Sequence, residues 1–214
     1  MIYSSSEVIQ LLVLGACFAL ALVRALRIRT AAWTEVACFF ACMFLGNVYW
    51  YGYLAVFGDT PGVSYISELS WIAGDVFLLM LLAECDQVRG LIAPVRAAWI
   101  PVAVCAVCCA YYIYANGHPL LNLADNGFVA ALGFFAVRGL AARPDDGPGT
   151  PERSFAFNRF LHGAVLAFVV VEQVLWLSSL LDPTADFAVY GIANYALTLS
   201  YAAILAAAWR SREL

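Results

Sequence analysis

Seven stretches of this chain, residues 6–26, 31–57, 64–85, 97–115, 119–142, 155–181 and 187–209, are each long and apolar enough to cross a lipid bilayer. A helix of about 20 residues spans the hydrocarbon core, and backbone polar groups are satisfied there only in helices or closed barrels. The chain is 64% hydrophobic and 12% charged, with mean hydropathy +0.84. Soluble domains lie nearer half apolar and a quarter charged. The fold class that follows is an all-α integral membrane protein, a seven-transmembrane-helix bundle. Only short turn segments such as GDTPG, NGHP and DPTAD and one longer loop, RPDDGPGTPER, separate the spans. No room remains for a soluble domain, so residues 1–214 read as a single unit.

Orientation follows from the arginines. All 11 basic residues are arginine. Arg24, Arg27 and Arg29 flank the first connection, Arg89 and Arg96 the third, and Arg138, Arg143, Arg153 and Arg159 the fifth, while Arg210 and Arg212 close the chain. The N-terminus and the alternate connections carry none. The positive-inside rule assigns the basic face to the cytoplasm, which puts the N-terminus outside and the C-terminus inside. The N-terminal MIYSSSE lacks the positive region of a cleavable signal, so the first apolar run is retained as a span. The expected location is a membrane crossed several times, a bacterial inner or a plasma membrane.

Rhodopsins, G-protein-coupled receptors and small 3+1+3 sugar transporters share this topology. The residues that would carry each resemblance are missing. No lysine exists to form a retinal imine, so covalent retinal is excluded, no cofactor is expected, and a non-covalent ligand stays open. Glu84-Cys85-Asp86 is a poor match to the receptor acid–arginine–tyrosine triplet, and Pro101 is the only proline inside a span away from a helix start. Topology alone does not transmit function. One internal echo sets Asn47-Val48-Tyr49-Trp50 against Gln173-Val174-Leu175-Trp176. A parallel duplication of spans 1–3 and 5–7 would produce it; so would chance in helices of such biased composition, which is the favoured reading.

Polar residues inside the spans are the candidates for function. At about 1.5 Å per residue, Asp75 falls about 15 Å below the outer end of its span, Glu172 and Gln173 about 13 Å, and Asn194 about 12 Å. Asn47 reaches a similar depth, Asp125 and Asn126 are shallower, and Glu68 lies near the rim. A charge at the bilayer centre costs at least about 2.5–3.5 kcal/mol, so these groups face inward. No arginine reaches this level. Asp75 and Glu172 must therefore hold protons, share hydrogen bonds with Asn47, Gln173 and Asn194, or meet a cation from outside. Amides in membrane helices commonly serve as interhelical glue worth about 0.6 kcal/mol each; a carboxyl costs more than that role needs.

Helical spacing places Glu68, Trp71 and Asp75 on one stripe, and Glu172 and Trp176 on another. The expected ligand-binding set is thus Asp75, Glu172, Trp71, Trp176, Asn47, Gln173, Asn194 and Glu68, above a leucine-rich half closed to passage. Aromatic faces beside carboxyls suit a cationic amine. His118 and His162 lie on opposite faces, so no shared metal or haem is expected, and the seven cysteines read as small packing residues. Catalytic motifs are missing. The function expected is a receptor or sensor module binding a small ligand, cationic or aromatic, in an outward-facing pocket. The alternatives are a small-molecule or proton-coupled transporter and an intramembrane enzyme acting on a lipid. Expected partners are membrane lipid, the small-molecule ligand and a cytoplasmic protein at the arginine-rich face, not nucleic acid.

Overall fold

The computed structural model describes residues 5–58, 65–87, 96–141, 152–181 and 187–210. Among these the fold is helical throughout, with no strand. The helices are α1 (Ser5–Ile28), α2 (Ala31–Phe57), α3 (Tyr65–Gln87), α4 (Trp99–Asn116, entered through a 3-10 turn at Arg96–Ala98), α5 (Pro119–Ala141), α6 (Glu152–Leu181) and α7 (Phe187–Arg210). All seven are long and apolar enough to cross a membrane. Their ends nearly coincide with the apolar runs, because the polar turn residues that punctuate hydropathy also end helices. Thr30 shows this at the start of α2. Its extended backbone (φ −94°, ψ 156°) lets its hydroxyl accept from the Trp33 N–H. At the other end Gly58, at φ 75°, turns the chain and donates its N–H to the Leu54 carbonyl.

Six helices close a ring in the order α1, α2, α3, α5, α6, α7, with α7 returning to α1. Helix α4 stands outside it, packed on α5 and α6. Helices consecutive in the chain run antiparallel, while α3 beside α5 and α7 beside α1 run parallel, and contacts between helix ends fix the two poles of the bundle. At one pole Tyr51, late in α2, reaches Gln10, early in α1, and Trp176, late in α6, meets Trp71, early in α3. At the other pole Trp33, early in α2, meets Trp209, late in α7, and His162, early in α6, fills the space above Gly139, late in α5. Arg24, Arg27, Arg96, Arg138, Arg159 and Arg210 all fall towards this second pole, by their positions in the helices. Positions 89, 143 and 212 and the side chain of Arg153 lie outside the described residues. The ends are called below the arginine pole and the arginine-free pole.

The packed core occupies the middle and the arginine pole. Phe39, Phe40, Phe168 and Tyr201 form an aromatic layer across the ring: Phe39 lies 6.1 Å from both Phe168 and Tyr201, and Phe168 lies 5.6 Å from Tyr201. Below it small residues such as Ala136, Gly139, Ala207 and Ala208 let the backbones close in, as in other membrane bundles. Arg24 stacks its guanidinium over Trp33 (5.4 Å) and Trp209 (4.9 Å), a double cation–π contact at the pole. Outward, large apolar side chains such as Leu12, Leu26, Val107, Ile192 and Leu199 are exposed, the surface a hydrocarbon solvent requires and water would not tolerate over such an area.

Candidate functional site

Above the aromatic layer the ring does not close. A cavity of about 490 Å³ opens among α1, α2, α3, α6 and α7 towards the arginine-free pole, a volume within the range of small-molecule sites. Its lining follows helical periodicity on each element. Helix α2 contributes Met43, Asn47, Trp50 and Tyr51; α6 contributes Glu172, Leu175, Trp176 and Ser179; α7 contributes Tyr190, Asn194, Leu197 and Tyr201; Gln10 comes from α1 and Trp71 from α3.

Two glycines build the wall where α2 meets α3. A Cβ on Gly46 would stand 2.6 Å from Trp71 Nε1, and one on Gly74 would stand 2.8 Å from Met43 Cε. Each glycine thus makes room for a large side chain of the other helix, and both of those side chains line the cavity. Trp71 is the middle of a row of indoles, with Trp50 at 6.0 Å and Trp176 at 6.1 Å in a T-shaped contact. Tyr201 forms part of the floor. Its hydroxyl meets Met43 Sδ at 3.7 Å while its ring belongs to the aromatic layer beneath.

The polar lining is unevenly satisfied. Tyr51 donates to Gln10 Oε1 at 3.0 Å, and Asn47 Nδ2 donates to the Met43 carbonyl at 2.8 Å. Glu172 is 8% exposed, and its Oε2 has no hydrogen-bond partner. Asn194 is 1% exposed and lies near the Tyr51 hydroxyl, but its Nδ2 finds no partner of good geometry. Buried polar groups normally are paired. Among the described residues Glu172 is the only carboxylic acid on the wall, and no arginine or histidine joins it.

Five of the residues singled out by sequence, Glu172, Trp71, Trp176, Asn47 and Asn194, line this one cavity; the other three do not. Asp75 is fully enclosed behind the wall, with both carboxylate oxygens unpartnered, within electrostatic range of Glu172 and Asp125. It shares the stripe of Trp71 but sits a turn deeper in α3. Gln173 is one residue from Glu172, and the roughly 100° helical step turns it away. It donates to Asn126 Oδ1 at 3.2 Å, Asn126 donates to the Asn122 carbonyl at 3.1 Å, and Tyr112 donates to the Gln173 carbonyl at 3.3 Å. Gln173 is therefore an interhelical tie among α4, α5 and α6. Glu68 lies outside the lining, partly buried, and within electrostatic range of Asp125.

Sequence reading missed Gln10, Met43, Trp50, Tyr51, Tyr190, Leu197 and Tyr201 as wall residues. The 190–194–197–201 stripe of α7 was visible as a helical period, but no charge marked it. The sequence echo pairs Trp50 with Trp176, and both reach the cavity; the paired Asn47 and Gln173 face different neighbours. No protein-family model, no curated protein and no solved structure matches this chain.

Proposed function

We propose that this protein is a seven-helix membrane receptor or sensor module that holds a small molecule in the cavity at the arginine-free pole, with that pole outside the cell. The observation that carries the reading is the cavity itself: indole-walled, with a buried unpartnered Glu172 oxygen on its side and an aromatic layer as its floor. A chamber floored by a packed aromatic layer suits binding better than passage. All seven helices run unbroken, whereas carriers commonly unwind helices at the midplane to bind and release cargo. The one-sided arginines support the orientation, and they offer a cytoplasmic protein partner a basic surface. Helix α7 supplies a physical link between the poles, because it carries Asn194 and Tyr201 on the cavity and Trp209 against Arg24.

A small-molecule screen by thermal shift, run on the native chain and on Leu197→Trp, tests the reading. The added indole fills the cavity from its α7 wall. Molecules that stabilise the native chain and not the filled variant support the pocket; stabilisation that survives the filling contradicts it. A second reading, a proton-coupled carrier, draws on Asp75, whose two orphaned oxygens lie just behind the wall. Uptake or pH-driven flux in proteoliposomes, lost in Asp75→Asn, would favour the carrier over the receptor.

A further inference from the structure

The cavity wall specifies the charge of its occupant, and we infer that the ligand is a compact organic ammonium ion carrying at least one N–H. The inference rests on the pocket reading above and names the ligand class of that same site.

Charge accounting comes first. Among the described residues the only carboxylic acid on the wall is Glu172, and Asp75 and Asp125 stand behind it within electrostatic range. Among the described residues no cationic side chain lines the cavity, and every described arginine sits towards the other pole. An anion entering this chamber would meet carboxyl groups and, among the described residues, no cationic partner, whereas a cation would pair with a carboxyl and favour its charged form.

Hydrogen bonding comes next. Glu172 is a wall residue, more than nine-tenths buried, and one oxygen of its carboxyl, Oε2, has no partner. An acceptor left unpaired in low dielectric is costly, and only a donor relieves it. A neutral aromatic or a quaternary ammonium has no N–H to give; a protonated primary or secondary amine does. The row of indoles formed by Trp50, Trp71 and Trp176 then presents aromatic faces beside the carboxyl, the arrangement that attracts a cation over its neutral analogue. The carboxamides of Asn47 and Asn194 supply amide donors and acceptors for a hydroxyl or carbonyl on the rest of the molecule.

The test uses purified full-length protein in lipid nanodiscs, titrated with two matched pairs: tyramine against tyrosol, and n-butylamine against n-butanol. Tryptophan fluorescence reports binding, since three indoles line the chamber. The expected result is saturable binding of at least one amine, about tenfold or more tighter than its neutral partner. Glu172→Gln should remove that preference while the thermal midpoint of the empty protein is kept. The native comparison stands even where the variant fails to fold. Neutral partners that bind as tightly as the amines, in competition with them, overturn the ammonium inference and leave the pocket reading intact. If neither amine binds, the inference falls, and the cavity-filling screen with Leu197→Trp decides separately whether the pocket reading falls with it.

Discussion

The two poles of this bundle are built from the same helices and similar apolar content, yet one is solid and the other hollow. At the arginine pole, small residues and flat aromatics draw the helices together. Gly139 admits the ring of His162, and Ala207 and Ala208 are fully covered. At the arginine-free pole, indoles and carboxamides occupy the corresponding positions. Glycine is used there to seat side chains that line a space, Trp71 against Gly46 and Met43 against Gly74, rather than to fill one. Hydrophobicity sets which segments enter the membrane; the size and shape of side chains on the inner faces set where the bundle closes. Buried polar atoms without partners occur at both poles, Glu35 Oε2 and Trp33 Nε1 at the solid one and Glu172 Oε2 at the hollow one, so it is the space beside Glu172 rather than the missing bond that sets the hollow half apart.

The largest expected effect breaks the solid half. Phe168 is fully buried in the aromatic layer, so Phe168→Ala should cost about 3–5 kcal/mol of stability, the range for deleting a core aromatic ring. Reversible unfolding in detergent measures it. A loss below that of any cavity-wall truncation would mean that the layer is not the mechanical centre of the fold.

Next comes the enclosed carboxyl. Replacing Asp75 by leucine, which branches at the same carbon though it is larger, exchanges two unsatisfied oxygens for methyl groups and should stabilise the protein by about 1–3 kcal/mol. Destabilisation of that size would show instead that Asp75 is tied to its surroundings by bonds worth keeping. Asp75→Asn should preserve the fold and weaken a cationic ligand by about 1–2 kcal/mol, a charge–charge effect acting through the wall because Asp75 does not touch the chamber. Isothermal titration with tyramine reads it; an unchanged affinity would confine recognition to Glu172.

A smaller effect is expected on the hollow side. Trp176 is half-buried and its principal ring contact is the T-shaped pair with Trp71, so Trp176→Ala should cost only about 1 kcal/mol. Its consequence for ligand affinity should be greater than its consequence for folding. Equal losses in both would mean that the indole row is core rather than wall.

The helices were legible in the sequence because hydropathy over twenty residues is a strong signal and polar turns end it sharply. The polarity of the bundle was legible in the arginines. The site was legible where an acid or amide marked a face, as at Glu172 and Asn194. It was obscured where rotation or depth decided the matter. Gln173, one residue on from Glu172, turns to Asn126; Asp75, one turn on from Trp71, is enclosed behind the wall. The α7 wall carries no charged residue, and Leu197 differs from a lipid-facing leucine only in which neighbours surround it, information that enters with the packing of six helices into a ring and the exclusion of α4.

The central claim is a chamber open at the arginine-free pole and closed by the Phe39–Phe168–Tyr201 layer. Single cysteines at Leu197, on the cavity wall, and at Ile204, fully buried two turns along the same helix, test it when treated in intact cells with a membrane-impermeant maleimide. The account predicts labelling of Leu197→Cys above the background of the native chain and none of Ile204→Cys. Labelling of both would contradict the closed floor, and labelling of Leu197→Cys only after the cytoplasmic side is opened would reverse the orientation.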